Sequence, residues 1–200
     1  MQKGLIMQNM LSDKRLESAK QYIDELSVQN SKLNIVRVDL SYKKPYSNEV
    51  SLDEVNEDIQ HLLNNRRTKP SIFKDNIGYI MKREYAEGRG MHIHALFIFD
   101  GQKVSKSAHK ADQIGKYWSN EITHDNGSYH NCHRNGYEKN GIGMLDHRDE
   151  QKRKILDEQV ISYLCKEDQD VAPIKSNSKD RAFTRGVAPK KKSAAGRPRK

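Results

Sequence analysis

Residues 77–100, IGYIMKREYAEGRGMHIHALFIFD, constrain the fold more than any other stretch of this chain. Two strand-length runs, IGYIMKREYA and MHIHALFIFD, flank Gly88 and Gly90, where a positive φ carries no side-chain penalty. The pattern predicts a β-hairpin. The second run also holds an anomaly, because strands rich in Leu, Ile and Phe rarely carry paired imidazoles. Each ring brings a polar nitrogen that needs a partner, yet His92 and His94 stand two residues apart.

Period-two geometry puts His92 and His94 on one face, about 7 Å apart along the strand, which lets both imidazoles converge on one ion. Hairpin pairing supplies a third group. If residue i opposes residue 176 − i, Glu84 lies opposite His92 with its carboxylate on the same face. A slip of one residue sends it to the other face, so the metal reading requires an even pairing sum. Two histidines and a carboxylate, with positions left for water and phosphate oxygen, suit Mg²⁺ or Mn²⁺ and, less characteristically, Zn²⁺. The alternative is a pair of satisfied structural histidines in a partly buried strand.

The other elements follow from periodicity. Residues 13–30 carry a helical stripe through Leu16, Ala19, Tyr22, Ile23 and Leu26. Residues 33–42 alternate Val36, Val38, Leu40 and Tyr42 with Arg37, Asp39 and Ser41, the pattern of a half-buried strand. Ser51 and Glu54 stand in capping-box spacing before a helix striped by Leu52, Val55, Ile59, Leu62 and Leu63. A further helix is expected from about Ser105 to Ile122, a long polar loop over 124–141, an edge strand in IGMLDH, and a last helix from about Asp149 to Glu167. This order of elements predicts an α+β fold with a central antiparallel sheet flanked by helices.

In that last helix Tyr163 and Lys166 are three residues apart, hence neighbours on one face. A tyrosine hydroxyl, with an ordinary pKa of about 10, is a poor nucleophile alone and is helped by a metal-polarised phosphate and a nearby ammonium. A half-buried Tyr beside a solvated Lys explains the pair equally well. Arg37, Asp39 and Ser41 are candidates for DNA contact or for support of the metal ligands, or simply a solvated strand face. His130, Cys132 and His133 are potential zinc ligands without an evident fourth. A loop that clamps DNA through Tyr129 and Arg134 is the preferred reading of that stretch.

Charge singles out the C-terminus. Residues 171–200 hold ten basic side chains and one acid, so they carry the whole formal net charge of +9, while residues 1–170 balance. Such a segment is expected to be disordered when free and to seek a polyanion through Lys190, Lys191, Lys192, Arg197 and Arg199. The final GRPRK is a short match to a minor-groove hook. Two cysteines, Cys132 and Cys165, suggest no disulfide framework. No apolar run approaches a membrane span and GLIMQNML is too short for a secretory core, so a cytoplasmic protein is expected.

Taken together, MHIHALF resembles the HUH motif of replication-initiator endonucleases and YLCK resembles their Y-x-x-K motif. RVDLSY, HIHALFIFDG, YLCKEDQ, RAFTRG and the terminal GRPR, in this order over residues 33–200, are similar to inovirus replication proteins of the YagK/YfjJ type. The resemblance implies an HUH/Rep-type nuclease fold, with residues 1–32 as an N-terminal helical segment, 33–170 as the nuclease domain and 171–200 as a DNA-binding tail. It implies a rolling-circle initiator that nicks and rejoins single-stranded or hairpin origin DNA for a phage, satellite or plasmid in a bacterial host. His92 and His94 would bind the metal with Glu84, Tyr163 would take the 5′-phosphate, and Lys166 would stabilise charge near it. A host helicase and polymerase would be partners. A single motif tyrosine leaves the second strand transfer to another subunit, to water or to reuse of Tyr163. The alternative on the same fold is an origin or operator DNA-binding regulator that does not cleave, and a third option is a strand transferase of transposon or conjugative type.

Overall fold

The computed structural model describes residues 2–166 and 181–187, the first ten of these for their backbone alone. Helix α1 (Gln2–Gln29) leads into β1 (Lys32–Tyr42), followed by α2 (Leu52–Asn65) and a single turn, α3 (Pro70–Phe73). The hairpin β2 (Asn76–Ala86) and β3 (Gly90–Asp100) comes next, then α4 (Ser107–Tyr117), β4 (Gly127–Asn131) and β5 (Gly143–Asp146). The described chain closes with α5 (Glu150–Ile155), α6 (Ser162–Cys165) and β6 (Phe183–Arg185). The six strands form one sheet in the order β4-β1-β3-β2-β6, with β5 also paired to β1, and every pairing is antiparallel. The fold is α+β, as the sequence predicts.

Each face of the sheet carries its own core. Val36, Val38, Leu40 and Tyr42 of β1 join Met91, Ile93, Ala95, Phe97 and Phe99 of β3, covered by Val55 and Leu62 of α2 and by Ile114 and Trp118 beyond. The opposite face is apolar at Leu33, Ile35, Ile80, Leu96 and Ile98, under Tyr22, Ile23 and Leu26 of α1 and Leu156, Ile161 and Leu164 of the last helix. Because β3 contributes to both cores, its residues from Gly90 to Phe99 are all buried. This explains a strand that is apolar on both faces except at His92 and His94.

The capping box at Ser51 and Glu54 is present in both directions. The hairpin turns on Gly88 and Gly90 at φ of 74° and 77°. Other boundaries differ from the periodicity. Helix α1 begins well before residue 13. The helix expected to reach Ile122 changes to π geometry at Trp118–Ile122. The segment 124–141, expected to be loop, contains β4 paired to Val38–Tyr42. An edge strand has one neighbour and one packed face, so a single inward ring, Tyr129 against α4, suffices and leaves little apolar signal.

The last helix is capped by the Asp149 side chain, runs as a π segment over Leu156–Ile161, and stops at Cys165 rather than Glu167, with Lys166 extended at ψ of 149°. Residues 183–185, part of the tail expected to be disordered, instead pair with Ile80–Lys82 of β2. Lys190, Lys191, Lys192, Arg197 and Arg199 lie outside the described residues.

Candidate functional site

The strand registers lay the site out as a grid on the α1 face. Arg37, Leu96 and Ile80 stand in one row across β1, β3 and β2; Asp39, His94 and Lys82 form the next; Ser41, His92 and Glu84 form the third. Parity is constant along each strand, so the face that is apolar at Ile80 and Leu96 turns polar one row further on. Glu84 opposes His92, which is the even register that metal binding requires.

Glu84, His92 and His94 are buried at 2%, 2% and 4% exposure. They form the one group of three or more metal-ligating side chains among the described residues, with ligand atoms all within 4.8 Å of one another. Glu84 Oε2 lies 3.0 Å from His92 Nε2 and 3.1 Å from His94 Nε2. The other ring nitrogens face acceptors as well: His92 Nδ1 is 3.3 Å from the Gly90 carbonyl, and His94 Nδ1 makes an ion-pair contact with Asp39 Oδ1 at 2.9 Å.

A neutral imidazole carries one proton, so it cannot serve an acceptor at both nitrogens. With the Nδ1 protons turned to Gly90 and Asp39, both Nε2 lone pairs face a carboxylate oxygen, so a proton or a metal cation must stand between; burial pulls the His94 pKa down, but Asp39 and Glu84 raise it above the ordinary imidazole value. This donor set therefore fits a divalent metal, with Gly90 and Asp39 as the acceptors that orient the ligands. With protons on Nε2, Glu84 is held ionised: burial pulls its pKa upward, but hydrogen bonds from His92, His94 and Lys82 outweigh this and set it far below the ordinary carboxylate range. Burial likewise opposes ionisation of Asp39, and His94 together with Arg37 brings its pKa below normal.

Tyr163 hangs over this group from the end of the last helix. Its hydroxyl is 3.4 Å from His94 Nε2, and its ring meets the His94 ring edge to face at 5.2 Å between centroids. The Arg37 guanidinium lies 5.4 Å and the Lys82 ammonium 5.9 Å from the centre of the same ring. At 37% exposure the ring is open to solvent on one side. Burial and the Glu84 charge raise its pKa above the ordinary tyrosine value, while Arg37 and Arg89 pull it down.

Lys166, expected beside this tyrosine, stands at the C-cap of the helix. The helix has ended, and Lys166 is an exposed residue whose backbone N–H closes on the Tyr163 carbonyl at 3.3 Å. Ser41, on the same face, shares a 2.8 Å hydrogen bond with Ser128 of β4.

Sequence reasoning missed Lys82, whose Nζ is 2.6 Å from Glu84 Oε1 and which is 1% exposed. The signal was available, because a residue two before Glu84 on a strand shares its face. His130, Cys132 and His133 do not converge. His130 bonds Asn135 at 2.9 Å, His133 Nε2 accepts the Arg37 backbone N–H at 3.1 Å, and burial pushes the Cys132 thiol up to about 12. Tyr129 and Arg134 are engaged within the fold, Tyr129 against Gly115 and Arg134 with Asp112 at 2.7 Å.

The sequence model of the family described as the YagK/YfjJ C-terminal domain matches residues 1–186, from α1 through β6. Comparisons with curated proteins and with solved structures returned no match. Among the described residues no helix is long and apolar enough to cross a membrane.

Proposed function

The chain belongs to the YagK/YfjJ C-terminal domain family, and from that premise we propose that it is a metal-dependent endonuclease and strand transferase that initiates rolling-circle replication of a phage, satellite or plasmid. The observation that carries this reading is the 3.4 Å approach of the Tyr163 hydroxyl to His94 Nε2, at the open side of a buried Glu-His-His group. A lone buried metal group needs no exposed tyrosine, and an exposed tyrosine needs no metal group. Together they supply a nucleophile and a place for the phosphate it attacks.

Mg²⁺ or Mn²⁺ bound by Glu84, His92 and His94 would draw charge from a phosphate oxygen and favour the tyrosinate. Tyr163 Oη then forms the new bond to phosphorus while the bond to the 3′-oxygen breaks. The phenol proton is lost to solvent and the 3′-oxygen takes one up. One phosphodiester is exchanged for another, so the linkage energy is kept in the 5′-phosphotyrosine and the same site rejoins ends by the reverse step. Arg37, half-buried beside the ring, holds positive charge where the DNA strand enters. The basic residues Lys190, Lys191, Lys192, Arg197 and Arg199 serve non-specific contact with the polyanion. The freed 3′-hydroxyl primes a host polymerase with a host helicase in the bacterial cytoplasm.

The test is covalent capture. Labelled single-stranded DNA hairpins of randomised sequence are incubated with the protein and Mn²⁺, denatured, and examined for labelled protein. A Mn²⁺-dependent adduct that is absent with EDTA and absent in Tyr163→Phe is expected. Hairpins that bind tightly without ever forming an adduct would replace this reading with that of a non-cleaving DNA-binding regulator.

A further inference from the structure

The two oxygens of Glu84 are divided between different partners. Oε2 faces both histidine Nε2 atoms at 3.0 and 3.1 Å, whereas Oε1 is taken by Lys82 Nζ at 2.6 Å. A carboxylate gripped in this way offers a metal one oxygen instead of two. The same ammonium, 1% exposed, stands 5.9 Å from the centre of the Tyr163 ring.

Formal charge gives the arrangement a purpose. Glu84 and Asp39 are balanced by Lys82 and Arg37, all four within the grid that surrounds His94. A divalent ion added to this neutral set leaves a charge that a phosphodiester and a tyrosinate together cancel. Without the lysine, part of the metal charge would be spent on Glu84, and less would remain for the reacting groups. Lys166, exposed beyond the helix end, is not built into this balance.

We propose that Lys82 is a positioning residue: it restricts Glu84 to one-oxygen ligation and fixes a cation beside Tyr163, the place for which the motif offers Lys166. This rests on the nicking and joining reading of the same site. A lysine that merely supported Glu84 would strengthen metal binding; one that trades ligation for charge does not.

Two readouts separate these cases: Mn²⁺ affinity, followed through the electron paramagnetic resonance of the free ion, and single-turnover adduct formation at saturating Mn²⁺. Lys82→Gln keeps a donor without the charge and Lys82→Arg keeps the charge. Lys82→Met is the second neutral variant if Lys82→Gln does not fold by circular dichroism. Lys82→Gln is expected to bind Mn²⁺ at least as tightly as wild type yet to form adduct at least about tenfold more slowly. Lys82→Arg is expected to recover part of the rate, and Lys166→Ala to lose less than Lys82→Gln. Weaker Mn²⁺ binding by Lys82→Gln, or an adduct rate equal to wild type, overturns the proposal. If wild type forms no adduct at all, the nicking reading fails by itself, and the Mn²⁺ titration still decides whether Lys82 limits ligation by Glu84.

Discussion

His94 Nδ1 lies 2.9 Å from Asp39 Oδ1, across the pairing of β3 with β1, while its Nε2 faces Glu84. Asp39 therefore fixes which nitrogen of His94 is offered to a metal. Asp39→Asn removes the charge while keeping the shape, and it is expected to weaken Mn²⁺ binding by about 10–100-fold. Isothermal titration calorimetry of the two proteins with Mn²⁺ checks this, and equal affinities would remove Asp39 from the centre.

Metal binding to the folded state alone raises stability by mass action. At a Mn²⁺ concentration about 100 times Kd, the gain is about 2.7 kcal/mol, enough to lift Tm by several degrees. Wild type should show this rise and lose it with EDTA, while His92→Ala should show none. The buried group makes thermal denaturation a test of ligation that needs no DNA.

Gly115 of α4 faces the ring of Tyr129, and a Cβ added there would stand 2.1 Å from Tyr129 Cδ2. Gly115→Ala is expected to destabilise the protein by about 1–3 kcal/mol in urea denaturation through overpacking. Tyr129→Ala in the same chain should recover part of that loss, since it removes the atoms that clash.

The pH dependence of stability has a component at His133. Burial brings its pKa down to about 4, and as a neutral ring it accepts the Arg37 N–H. The unfolded ring titrates at about 6.5. Between these values the unfolded chain binds more protons, so stability is complete above about 6.5 and is lost as pH falls towards 4. The ring is part-exposed, which reduces the effect to about 1–2 kcal/mol after screening. Urea midpoints of wild type and His133→Gln at several pH values should show a shallower acid slope in the variant over this window.

The hairpin and the clustering of Glu84, His92 and His94 were legible because they depend on parity. Gly88 and Gly90 fix the turn, the turn fixes the register, and the register alone decides whether Glu84 faces His92. Lys82 follows from the same parity, but a lysine in MKREY looks like any solvated strand residue until its burial is known. Strand β4 stayed hidden because GSYHN carries one inward ring, and its partner strand β1 is what makes it a strand. The end of the last helix was not legible: periodicity carries it to Glu167, whereas it ends at Cys165 with Lys166 as its exposed C-cap.

The two halves of the site differ in what holds them. His92 and His94 belong to β3, hydrogen-bonded to β1 on one side and β2 on the other. Tyr163 belongs to the final turn of a helix that stops two residues later. Backbone amides at the centre of a sheet exchange with solvent only through global opening, whereas a helix end opens locally. The tyrosine can thus withdraw and return while the histidines keep their places.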